Sequence, residues 1–281
     1  AVLKKAFEGE LTKEWRENHV KTDCRPSQEN TAIPMAAEPT VSYEKQGAKD
    51  LPEGWKLVKL GEVCNSVEYG TSTKSADIGK TPVIRMGNIQ NGRIDWTDLK
   101  YTNDDSEIEK YRLNHNDVLF NRTNSAEHVG KTAIYKGEKE AIFAGYLIRI
   151  NYKSEVINPD FLNYYLNSHE AKQYGNRVKS FGVNQSNING TKLKNYPFPF
   201  PQLEEQHQIV REIECRLSVS DKVEQNITEG LQKSEALRQS ILKKAFEGKL
   251  LSKAEIERCK QEADYEPASV LLEKIKKEKM K

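Results

Sequence analysis

The chain has 281 residues, 31% of them charged, with 44 Lys and Arg against 42 Asp and Glu, for a formal net charge of +2. That balance excludes an acidic tail and a uniformly basic coat, so any nucleic-acid contact must come from basic residues sorted onto one face. The length suffices for one or two domains with real cores. No apolar run approaches the ~18–20 residues of a membrane span, and no signal peptide is evident.

Taken in chain order, residues 1–19 predict the tail of a helix, because Val2, Leu3, Ala6, Phe7 and Leu11 recur at helical spacing. The first residue is Ala rather than Met, as in a trimmed or excised segment. Residues 20–50 hold Pro26, Pro34, Pro39 and Gly47 and few large apolar residues, which predicts an extended or partly disordered linker. Residues 51–201 predict a mixed α/β domain. TPVIRMGNI, DVLFNR, KTAIYKG and YLIRINY are rich in β-branched and aromatic residues and predict strands. NPDFLNYYLNSHEAKQYG predicts a helix capped by Asn158, with Pro159 in its first turn. The PFPFP that follows (residues 197–201) predicts a rigid connector, since its prolines fix φ and oppose strand pairing.

From Leu203 the texture changes. Ile209, Val210, Ile213, Leu217, Val223, Ile227, Leu231, Leu237, Ile241, Ala245 and Phe246 fall in steps of mostly three and four. That is one narrow stripe on a helix reaching to residue 249, about 70 Å long at 1.5 Å per residue. So thin a stripe needs a partner helix. Ile213, Leu217, Leu231, Phe246 and Leu250 are the candidate partner-facing residues. Residues 202–250 thus form a spacer helix and residues 251–281 a tail. The helix end LKKAFEGKL (residues 242–250) repeats the opening LKKAFEGEL (residues 3–11) with one change, Glu10 against Lys249. Gly9 and Gly248 are candidate helix stops. The first copy predicts a helical stub equivalent to the end of such a spacer, packed near a neighbouring conserved helix, which another chain could supply.

Catalytic signatures are missing. No GxxxxGK[ST] and no strand-borne GxGxxG occurs. NYPFPFP departs from the Asn-Pro-Pro-aromatic loop of amino-methyltransferases, because Tyr196 stands where the first proline belongs. The five histidines are scattered. Cys24, Cys64, Cys215 and Cys259 have neither zinc nor disulfide spacing, and a reduced cytoplasmic protein follows. What the chain does have is four polar loops, at residues 69–82, 85–95, 121–131 and 179–194. Arg pairs bidentately with guanine, Asn and Gln with adenine, and Lys, Ser and Thr suit phosphates or bases. Ordinary turn chemistry also favours Asn, Ser, Gly and Thr.

The order LPEGW, LGEV, YGTS, PVIRMGNI, DVLFNR, VGKTAIY, NPDFLNYYLNS, NQSNI and PFPFPQLEEQHQIVREIE resembles one target-recognition domain plus conserved helix of a Type I restriction–modification specificity subunit. LKKAFEGKL and EPASVLLEKI resemble that family's helix end and C-terminal tail. The resemblance implies an α/β recognition domain joined to a long helix that forms an antiparallel coiled-coil spacer. It implies a non-catalytic, DNA-binding subunit that reads half of a split site in double-stranded DNA. Methyltransferase subunits would carry S-adenosylmethionine and methylate adenine N6, this chain would bind no cofactor or metal, and motor–nuclease subunits would join the complex. With only one recognition domain, the chain would be either a half-subunit that pairs as a homodimer or with another specificity half, or the second half of a full subunit, the origin that the leading helix end favours. The DNA readers implied are Thr71, Ser72, Lys74, Arg85, Asn88, Arg93, Arg122, Asn124, Ser125, Lys131, Lys179, Asn184, Gln185, Ser186 and Asn187. For Arg85, a pairing with a nearby carboxylate is the alternative. Two other functions remain open on the residues: the recognition part of a methyltransferase whose catalytic domain lies elsewhere, and a coiled-coil adaptor that binds no DNA.

Overall fold

A computed structural model describes residues 2–20, 51–182 and 185–279. Residues 21–50, including the expected linker, and Asn184 lie outside the described residues. The chain divides into two compact units, Ala1–Leu217 and Ser218–Lys281.

The helices in chain order are α1 (Val2–Phe7), α2 (Lys13–Val20), α3 (Asp105–Tyr111), α4 (Pro159–Leu166), α5 (His169–Val178), α6 (Gly190–Lys194), α7 (Leu203–Phe246), α8 (Lys253–Lys260) and α9 (Ala268–Lys279). The single helix expected from residue 158 is two. Asn158 caps α4 by accepting from the Phe161 N–H at 3.0 Å, and Ser168 caps α5 by accepting from Ala171 at 3.2 Å. A second capping residue ten positions on starts a second helix.

The centre of the first unit is a four-stranded antiparallel sheet in the order Cys64–Tyr69, Leu147–Tyr152, Val118–Asn121, Thr132–Ile134. Val118–Asn121 is buried on both faces, which explains its unbroken apolar run. Its alternation divides two cores. Val118 and Phe120 face a cluster with Phe161, Leu162, Tyr165, Tyr196 and Phe198. Leu119 faces a second cluster with Ile84, Ile89, Phe143 and Leu147. The hairpin Ile89–Gln90/Arg93–Ile94 turns through Asn91 and Gly92, both at positive φ, the two-residue turn that matches strand twist.

PFPF is not a connector. Pro197–Phe200 is a strand, antiparallel to Lys56–Lys59, with Pro197 opposite Lys59 and Pro199 opposite Leu57. The pair stands alone as a two-stranded sheet, so each proline lacks a donor only where no third strand needs one.

The amino-terminal stub packs on the chain's own domain and reaches the start of its own long helix, α7. Phe7 is buried edge-on against Phe161 (5.4 Å) and Tyr165 (5.2 Å), and Ala6 is fully enclosed. Burying one such ring is worth about 2–3 kcal/mol. The first turn of α7 is clamped by two buried polar side chains. Glu205 accepts from Thr12 Oγ1 at 2.7 Å and Trp55 Nε1 at 2.9 Å, and forms an ion pair with Arg16. Gln206 accepts from the Asn158 N–H at 2.9 Å and donates to the carbonyls of Val156 and Pro201. Ile213, expected to face a partner, is fully buried in its own domain's core, because α7 docks there before it leaves.

In the second unit, none of the described residues is buried. Ser252 and Glu255 form a reciprocal capping box at the start of α8. Leu231, Phe246 and Leu250 are 68%, 90% and 51% exposed, and Leu217, the last residue of the first unit, is 38% exposed. Among the described residues, no helix is long and apolar enough to cross a membrane.

Candidate nucleic-acid interface

A cleft of about 990 Å³ opens on the first unit where all four polar loops meet. Gly70 makes the junction possible: a Cβ there would lie 2.2 Å from the Phe143 carbonyl oxygen, so only glycine lets the loop lie flat on residues 143–145. The Thr71 N–H then donates to Phe143 and the Gly145 N–H to Thr71. Seven of the expected readers line this cleft: Thr71, Ser72, Lys74, Arg85, Arg122, Asn124 and Asn187. They come from positions as far apart as 71 and 187.

The two arginines are held differently. Arg122 donates to the Gly145 carbonyl at 3.1 Å and lies 4.9 Å over the Tyr69 ring. Arg85 donates to Asp98 Oδ2 at 3.0 Å, the carboxylate pairing weighed against a DNA role, yet both residues border the cleft. The Nε atoms of Arg85 and Arg122 are buried without a hydrogen-bond partner. Lys74, Arg85 and Arg122 outweigh the one carboxylate, Asp98, so the lining is cationic. Among the described residues no group of three His, Cys, Asp or Glu side chains is placed to hold a metal.

Two expected readers have other work. Asn88 is 2% exposed; its amide donates to the Asp95 and Asp98 carbonyls and its oxygen accepts from the Arg85 N–H, so it braces the turn beneath Arg85. Ser186 is 3% exposed on the middle strand of a three-stranded sheet, between Phe181 and Asn124. Arg93, Ser125, Lys131, Lys179 and Gln185 do not line the cleft. Arg93, Ser125 and Gln185 are exposed. The Lys131 Nζ donates to Gln90, and the Lys179 Nζ donates to the Ala126 carbonyl and Asn176. Sequence reasoning missed Tyr146, which lines the cleft at 51% exposure. Its position at the head of an apolar strand disguises it as core.

A family model described as Type I restriction modification DNA specificity domain matches residues 52–233. The chain is 33% identical over 224 residues to the putative type I restriction enzyme MjaX specificity subunit of Methanocaldococcus jannaschii, covering 76% of this chain and 52% of that one. It is 26% identical to the EcoKI specificity subunit of Escherichia coli K12, covering 99% of this chain and 54% of that one. It spans about half the length of these relatives. In fold it is similar to the HsdS subunit from Thermoanaerobacter tengcongensis, with a TM-score of 0.51 at 24% identity, over 73% of this chain and 48% of that one. A chain from a study of assembly and conformational transition in the type I R-M system gives a TM-score of 0.56 at 24% identity, over 72% and 48%. Matched over more than half its length by the family model, this chain belongs to the Type I restriction modification DNA specificity domain family.

Proposed function

We propose that the chain is a sequence-specific DNA-recognition part of a Type I restriction–modification complex, reading one half of a bipartite site and performing no chemistry itself. The observation that carries this reading is the cleft. It gathers Lys74, Arg122, Asn124 and Asn187 from loops remote in sequence. Lysines and arginines would take phosphates and base edges, and the amides would read adenine.

Beyond Ile213 the apolar stripe of α7 is exposed through Val219, Val223, Ile227, Leu231, Leu237 and Ile241. An antiparallel helix from a second copy, or from another specificity half, would cover it. The 44 residues of α7 span about 66 Å, close to two turns of B-DNA. Adenine-N6 methyltransferase subunits would dock on this assembly and bring S-adenosylmethionine, and motor–nuclease subunits would join through them. The proposed division of the chain is recognition over residues 51–201, spacer over 202–250 and tail over 251–281.

The test is selection of duplexes from a randomised pool by the full chain, with and without its methyltransferase subunits. Enrichment of one short sequence is expected, with R122A weakening binding to it by roughly 10- to 100-fold. A chain indifferent both to duplex and to methyltransferase subunits would overturn the proposal.

A further inference from the structure

Apolar side chains are exposed at several places on the recognition domain, Ile78 at 84% and Leu57 at 60% among them. Tyr69, Tyr146 and Phe181 are its exposed aromatic residues, at 42%, 51% and 75%. Tyr146 lines the polar cleft, and Tyr69 carries the Arg122 guanidinium at the cleft wall. Phe181 is the most exposed of the three. It sits on Ser180–Phe181, the edge strand of the three-stranded sheet whose other strands are Ser186–Asn187 and Thr123–Asn124.

An isolated exposed apolar residue needs no explanation. Three observations set Phe181 apart. First is register: Phe181 is opposite Ser186, and Ser186 is opposite Asn124, so these three residues form one row across the sheet. Asn124 lines the cleft, which puts Phe181 about 10 Å from it, two strand spacings along the rim. Second is rigidity. The Lys192 Nζ donates to the Ser180 hydroxyl at 2.6 Å, and the Gly182 N–H donates to the Gln185 carbonyl at 2.7 Å. Lys179 is pinned by the Ala126 carbonyl and Asn176, both at 2.8 Å. Third is charge. The Lys179 ammonium lies 5.5 Å over the Phe181 ring, and Lys192 grips the neighbouring residue. A hydrophobic ring under one cation and next in sequence to a residue held by another suits a stacked, polyanionic target, and an apolar strand edge left bare is otherwise a hazard.

We propose that Phe181 is an apolar wedge that enters the duplex between neighbouring base pairs at the rim of the cleft. Part of the recognised sequence is then read as the ease with which one base step opens. The inference rests on the DNA reading proposed above. Lys179 and Lys192 hold the phosphates on either side of the opened step. Phe181 thereby adds selectivity at a position that no polar side chain touches.

The experiment uses the full chain and the duplex it selects from a randomised pool, with affinity, salt dependence and DNA bend measured for F181A, F181W and K179A. F181A is expected to bind roughly tenfold more weakly and to bend the duplex less. Its salt slope stays at the wild-type value, because no phosphate contact is lost. F181W restores both affinity and bend, whereas K179A makes the salt slope shallower. Pools selected by the wild type carry a flexible pyrimidine–purine step beside the polar-read bases, and pools selected by F181A lose it. An F181A protein with an unchanged melting transition and wild-type affinity, bend and selected pool would overturn the wedge while leaving the DNA reading intact. A wild-type chain that enriches no sequence would overturn the DNA reading, and the wedge with it.

Discussion

The same nine-residue phrase occurs twice and meets two fates. In both copies the helix ends by the same three backbone bonds. Glu8, Gly9 and Glu10 donate to Lys4, Ala6 and Lys5; Glu247, Gly248 and Lys249 donate to Lys243, Ala245 and Lys244. Both glycines are left-handed, at φ +74° and +67°. This is the Schellman turn, so local structure follows local sequence. Packing does not. Phe7 is 6% exposed and Phe246 is 90% exposed. A short sequence therefore specifies how a helix stops and leaves open what covers it. The one difference between the copies is also local: Glu10 lies 3.7 Å from Lys5, whereas Lys249 lies 2.9 Å from Glu247.

The strongest way to break this comparison is to truncate both rings. F7A should lose about 3–5 kcal/mol of stability in urea denaturation, because it hollows an aromatic cluster. F246A should stay within about 0.5 kcal/mol. Equal losses would mean that the second copy is covered in solution, and a dependence on protein concentration would assign the cover to another chain. Glycine substitution sharpens the comparison at a smaller scale. G248A should cost about 1 kcal/mol from backbone strain alone. G9A should cost more, roughly 2 kcal/mol, since its Cβ would lie 2.2 Å from Pro52 Cγ, while Gly248 has open space. Equal costs would show that the Pro52 contact yields freely.

The smallest effect contrasts the units by charge. A hydrogen bond from Arg149 lowers the Glu68 pKa below the ordinary carboxylate value, opposed by partial burial. A lowered acid stabilises the fold above its unfolded pKa and loses that contribution as pH falls through the folded value. E68Q should therefore be less stable than wild type at neutral pH and converge with it below about pH 4.3. Glu68 is 46% exposed, so solvent screening keeps the difference under about 1 kcal/mol. A gap that persists unchanged at pH 3 would rule out this account. On the second unit, Lys233–Glu229 (4.0 Å) and Lys243–Glu247 (3.9 Å) are surface pairs for which the matching Glu→Gln changes should move stability less.

Much of the fold was legible. The 3.6-residue stripe and the two stop glycines marked α7 and α1, and the apolar runs marked the central strands. What failed was context. PFPF looked unable to pair because prolines withhold donors, and only a lone two-stranded sheet excuses them. Ser168 looked like a mid-helix residue until its side chain proved to start a new helix. Within the site, loop composition found the cleft's walls but could not separate Asn88 and Ser186, which brace and fill, from Arg122 and Asn187, which line the cleft. Tyr146 was invisible because an aromatic at a strand head is ordinarily core.

The Glu205 clamp has a further consequence. Gly9 against Pro52, Trp55 against Glu205, and Thr12 and Arg16 against the same carboxylate bring the segments before and after the central sheets of the first unit to one point. A module fastened at a single corner can be exchanged for another without re-aiming what it hangs from, provided the replacement keeps that corner. Portability of this kind demands little of the loops. None of the clamp residues lines the cleft, so changes among its loops leave the clamp's contacts in place.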